Sequence, residues 1–97
     1  MNKYEVAVVV SANLTDEERA TVIEQIKGYI AKYQGTVTEV EEWGKKRLAY
    51  EIRKEVEGYY YFIQTEAEPV MAVELEKDLR IMQETVLRYL IVSADEK

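Results

Sequence analysis

Five basic side chains, Lys45, Lys46, Arg47, Arg53 and Lys54, fall within ten residues of a chain whose formal net charge is −6. They make up more than a third of its 13 lysines and arginines, and they lie between Trp43 and the consecutive aromatics Tyr59, Tyr60, Tyr61 and Phe62. Cations set beside aromatic rings suit phosphate contact combined with stacking on unpaired bases. A plainer reading makes the same stretch a charged edge strand that discourages pairing with other chains. The acidic balance argues against nonspecific nucleic-acid binding over the whole surface. It leaves room for a local basic site, because exposed charges are screened beyond about 8 Å at physiological salt.

Other chemistry is poorly supplied. Histidine and cysteine are both absent, and Ser11 and Ser93 are the two serines, so no nucleophile–base pair can be assembled. Disulfides and thiolate metal sites are excluded, and nothing points to an oxidising compartment. The glycines stand apart and cannot form a phosphate-cradling loop. Glu39, Glu41 and Glu42 do not form a metal or catalytic cluster, since strand alternation sends 39 and 41 one way and 42 the other. They read as a solvated acidic patch. No enzymatic activity, cofactor, metal or small-molecule substrate is expected. The longest apolar runs, Val6–Val10 and Tyr59–Ile63, are five residues each. A secretory core needs at least about seven and a membrane helix about twenty. The expectation is a soluble cytoplasmic protein with no membrane partner.

The elements that must position the basic run follow from periodicity. At 97 residues with no linker or repeat, the chain reads as one domain over 1–97. Tyr4 to Val10 is β-branched and apolar on both alternating sets, as in a central strand. Leu14 to Gln34 has helical spacing with Val22, Ile23, Ile26, Tyr29, Ile30 and Tyr33 on one stripe. A Thr15/Glu18 capping box starts this helix, and Gly35 is expected as the left-handed residue that ends it. Thr36 to Arg53 predicts a long second strand with a bulge at Trp43–Gly44. Lys54 to Gly58 reads as a turn, and Gly58 to Ala67 as the third strand. Pro69 opens a second helix with Met71, Ala72, Leu75 and Leu79 inward, and Val86 to Val92 is the last strand. The order βαββαβ predicts an α+β, ferredoxin-like split β-α-β sandwich: a four-stranded antiparallel sheet with two helices on one face. Its core is expected to hold Val6, Val8, Ile26, Ile30, Leu75 and Leu79. On the third strand, Tyr59, Tyr61 and Ile63 are assigned to the open face, beside Ala7 and Val9, and Phe62 to the interior. The outward set, with Leu90 of the last strand, is the candidate protein-docking patch; ordinary half-buried packing is the bland alternative.

Two other functions on this architecture can be weighed. Gly58-Tyr59-Tyr60-Tyr61-Phe62 loosely resembles the third-strand signature of the RNA recognition motif, a single-strand RNA-binding module. Glu57, Tyr60 and Gln64 depart from it, and the first strand offers Ala7 and Val9 where a stacking ring is needed. A small-molecule sensor or acyl-phosphate-type enzyme would need a loop arginine and an anion cradle, which are missing between Val10 and Thr15.

The segments KYEVAVVV, EEWGKKRLAYEIRKEVEGYYYF, ELEKDLRI and VLRYLIV resemble, in order and over nearly the whole chain, the sixth protein of the bacterial small ribosomal subunit. The resemblance implies the split β-α-β fold, no catalysis and residence in the small subunit. It also implies binding to small-subunit ribosomal RNA in the platform region, in a heterodimer with the eighteenth small-subunit protein. It carries RNA or partner contacts onto Lys3, Lys45, Lys46, Arg47, Lys54, Arg80 and Arg88, and Arg53 joins them as part of the basic run.

Overall fold

The structure, a computed structural model, describes residues 2–52 and 54–93. The elements are β1 (Asn2–Ser11), α1 (Asp16–Lys32), β2 (Thr36–Ile52), β3 (Glu55–Ala67), α2 (Pro69–Ile81) and β4 (Val86–Ser93). The strands form an antiparallel sheet in the order β2-β3-β1-β4. Each helical crossover therefore skips one strand, which gives the expected split arrangement. Both helices contribute to one core against the same sheet face.

Local chemistry explains the element ends. Glu18 N–H donates to Thr15 Oγ1 at 3.1 Å and Thr15 N–H to Glu18 Oε1 at 2.8 Å, satisfying two donors at the start of α1. The end of α1 differs from expectation. Gln34, not Gly35, takes the left-handed conformation, with φ 67°. Gly35 is needed for space instead, because a Cβ there would lie 2.8 Å from Ile30 Cγ2 and 3.2 Å from Ala67 Cβ. The bulge occurs where the sequence places it, with a register shift between Glu42 and Gly44 and φ 83° at Gly44. β3 begins earlier than expected, at Glu55, directly after Lys54, whose φ is 68°.

All six expected core residues are buried, joined by Val10, Val22, Ile23, Met71 and Val86. The facing of β3 is the reverse of the sequence reading. Tyr61 is 6% and Ile63 0% exposed, and both pack in the core with Thr65 and Ala67 on the same side of the strand. Tyr59 is half-buried against that core. The open face carries Tyr60 and Phe62, which pair with Val9 and Ala7 of β1. Both alternating sets of 59–63 are aromatic or aliphatic, so those five residues cannot decide the parity. The strand's continuation does: Gln64 and Glu66 fall in register with Phe62, while Ile63 and Ala67 fall in register with Tyr61.

Candidate nucleic-acid and partner interface

The end of the β2–β3 hairpin forms an arm beyond the three-strand pairing of the sheet. Its last pairs flush with the sheet are Lys46 with Gly58 on β3 and Gly58 with Ser11 on β1. Beyond them the β2–β3 register is irregular between Arg47 and Ile52. The arm bends across the open face instead of continuing the sheet plane. Arg88 Nη1 of β4 donates to Tyr50 Oη at 3.0 Å, and its guanidinium lies 5.7 Å from the centre of that ring. Leu48 of the arm closes over Gly58, where a Cβ would stand 3.6 Å from Leu48 Cδ2 but only 2.5 Å from Val9 Cγ1 of β1. Beneath the arm runs a groove of about 190 Å³ whose walls include Ala7, Leu48, Tyr50, Tyr60, Phe62 and Leu90.

The arm gathers much of the positive charge. Lys45, Lys46, Arg47 and Lys54 are all exposed, Lys45 and Lys46 at its base and Arg47 and Lys54 beyond, and Arg53 lies outside the described residues. Alternation splits them between the arm's two faces, Lys46 on the side of the open sheet face and Lys45 and Arg47 on the other. Lys45 Nζ stands 3.9 Å from Glu57 Oε1, a loose exposed pair that leaves its charge available. Lys46 Nζ is 6.0 Å from the Trp43 ring centre, and the Trp43 ring packs tilted at 56° against Phe62 with centres 4.7 Å apart.

The remaining candidates scatter. Arg88 joins the arm through Tyr50. Lys3 is exposed on β1 opposite Glu66, at the far end of the strand. It lies eight positions from Ser11, roughly 26 Å along an extended strand. Arg80 sits in the last turn of α2, on the helix layer, with Nη2 3.4 Å from Glu76. A hydrogen bond with Tyr89, and after it the pairing with Glu76, raises its pKa above the ordinary value, so it remains a cation.

The docking patch is corrected by the parity of β3. Tyr61 and Ile63 are buried under the helices, and Tyr59 faces α1, where the Arg19 guanidinium stacks on its ring at 3.6 Å. None of the three lines the open groove. Leu90 does, at 58% exposed. Tyr60, Phe62, Trp43 and Tyr50 are the open-face residues that the sequence reading missed. The RNA-recognition-motif alternative loses its geometry for the same reason. The rings that its signature would offer to bases, Tyr59 and Tyr61, point inward, and Phe62 is capped by Trp43.

Residues 3–93 match the family described as Ribosomal protein S6. The chain belongs to that family. It is 42% identical over 97 residues to the small ribosomal subunit protein bS6 of Moorella thermoacetica, covering 100% of this chain and 98% of that one. The bS6 protein of Caldanaerobacter subterraneus is 43% identical over 96 residues, covering 99% and 100%. The crystal structure of 30S ribosomal protein S6 from Thermotoga maritima superposes with a TM-score of 0.88 at 30% identity, covering 95% of this chain and 86% of that one. Membership in the S6 family makes the chain a ribosomal protein of the small subunit and not an enzyme. Among the described residues, no helix is long and apolar enough to cross a membrane.

Proposed function

We propose that this S6-family protein binds small-subunit ribosomal RNA in the platform region through its basic arm, as a heterodimer with the eighteenth small-subunit protein seated on the open sheet face. One observation carries the RNA half: Lys45, Lys46, Arg47 and Lys54 stand exposed on the arm and its base in a chain with net charge −6. An acidic protein that is basic at one place is built to meet phosphate there and solvent elsewhere. The partner half is supported by the apolar groove, where Phe62, Leu90 and Tyr60 offer rings and aliphatic area with few charges. Aromatic residues of this kind are favoured interface anchors.

The test is equilibrium binding of the protein–partner complex to a platform RNA fragment across a salt series. Lys46→Glu with Arg47→Glu is expected to weaken binding. It should also reduce the magnitude of the log-affinity versus log-salt slope by roughly 0.7 to 0.9 for each phosphate no longer neutralised. An unchanged affinity and slope would show that the arm's charges are merely solvated.

A further inference from the structure

We propose that Ser11 and Glu55 form a positioning pair that holds the basic arm in its RNA-binding pose; the inference rests on the reading of the arm as an RNA-contacting element. Glu55 is the first residue of β3, next to Lys54 at the arm's turn. On charge alone a carboxylate there is counterproductive in an element that meets phosphates. The structure gives it another use. Ser11 Oγ lies 2.8 Å from Glu55 Oε1 and 3.0 Å from Oε2, so its hydroxyl donates to the carboxylate, and Ala12 N–H donates to Oε1 at 3.3 Å.

Ser11 is suited to anchor such a contact. It is 3% exposed, so its hydroxyl has little access to water as an alternative partner. Its backbone N–H donates to Thr85 O at 2.9 Å, just before β4, and its Oγ accepts from Asn13 N–H at 3.2 Å. One residue thus ties the end of β1 to its surroundings, its side chain holding the arm and the β1–α1 turn and its backbone N–H the approach to β4. Bonds to an ionised carboxylate are about twice as strong as neutral ones.

The arm needs such a tie because its own ladder cannot aim it. Beyond Lys46 and Gly58 the hairpin pairs with itself alone, with an irregular register. Its direction relative to the sheet is left to the Tyr50–Arg88 contact, to Leu48 packed over Gly58, and to the Ser11–Glu55 bonds. An arm held in its bound pose does not lose that ordering entropy on meeting RNA, which is how preorganisation raises affinity.

Ser11→Ala is the discriminating variant, because it changes no charge and removes no group that RNA could reach. In the free protein–partner complex it is expected to lower hydrogen-exchange protection of the arm and to speed tryptic cleavage after Lys54, while amides of β1 and β3 inside the sheet keep theirs. RNA affinity should fall several-fold. Glu55→Gln, which keeps the shape and an acceptor oxygen, is the second variant, with Glu55→Ala beside it. The expected affinity order is wild type, then Gln, then Ala; loss of negative charge alone would instead make both variants bind more tightly. Tighter binding by either Glu55 variant, or unaltered arm exchange and affinity in Ser11→Ala, overturns the proposal. Lys46→Glu with Arg47→Glu in the same assay separates the two failures. If that double substitution weakens binding and Ser11→Ala does not, the positioning role alone is wrong. If the double substitution has no effect, the arm does not contact RNA and both readings fall.

Discussion

Tyr61 and Phe62 are adjacent rings on one strand, and the pleat gives them opposite tasks. Tyr61 lies at 6% exposure among Ile23, Ile63 and the rest of the helix-covered core, whereas Phe62 lines the open groove beneath Trp43. Truncation should separate them. Tyr61→Ala removes a buried aromatic and is expected to cost about 3–5 kcal/mol of stability, as large-to-small changes of buried aromatics do. Phe62→Ala should cost clearly less, and weaken binding of the eighteenth small-subunit protein by roughly 1–2 kcal/mol, within the hot-spot range. Denaturant unfolding and calorimetric titration of both variants check this; the reverse pattern would mean that the partner does not sit on the open face. The signal for this facing is present in the sequence, but four and five residues downstream of the aromatic run's start. Ile63, with Ala67 beyond it, continues the inward set, while Gln64 and Glu66 continue the outward one.

At the scale of elements, the sheet beneath the arm depends on a missing side chain. Gly58 pairs with Ser11 of β1 and has Val9 as its diagonal neighbour, and Leu48 of the arm closes over it. Its φ is not positive, so alanine there would meet crowding and not backbone strain. The nearest atom, at 2.5 Å, belongs to a β-branched residue in a central strand, which cannot swing away. Gly58→Ala is therefore expected to destabilise the protein by about 1–3 kcal/mol, the usual cost of overpacking. Denaturant unfolding checks it, and a variant with wild-type stability would show that β1 and β3 pair without needing that space. The spacing of residues placed the bulge at Gly44 and the arm's existence; it gave no hint of the bend, because Leu48, Val9 and Gly58 come from three separate strands.

At the scale of the whole molecule, the two helices are tied to each other as well as to the sheet. The Tyr33 hydroxyl at the end of α1 donates to Asp78 Oδ2 on α2. That hydrogen bond, aided by burial and by the negative charge of Asp78, raises the Tyr33 pKa from its ordinary 10.0 to about 12. Folded Tyr33 thus keeps its proton where the unfolded chain has released it. The stability this bond contributes is fully present below pH 10 and is lost as pH rises through about 12. Wild type should be more stable than Tyr33→Phe at neutral pH, with the gap closing between pH 10 and 12. Paired unfolding curves across that range measure it, and a gap that stays constant to pH 12 would mean that the tyrosine gains nothing from Asp78.

By itself the sequence determined the order of the elements, the split β-α-β class, the capped first helix, six residues of the core and the concentration of basic charge between Trp43 and Gly58. These are properties of periodicity, composition and near neighbours, where one residue's chemistry acts within a turn or two of chain. The bend of the arm over the open face, the left-handed conformation of Gln34 and the scattering of Lys3 and Arg80 away from the arm were decided only by the tertiary structure. So was the clasp of Ser11 on Glu55, two residues 44 positions apart. The physical reason is common to all four. Each depends on which groups the sheet and helices bring within a few ångströms of one another, and a local pattern that is apolar or charged on both sides carries no information about what will stand opposite it.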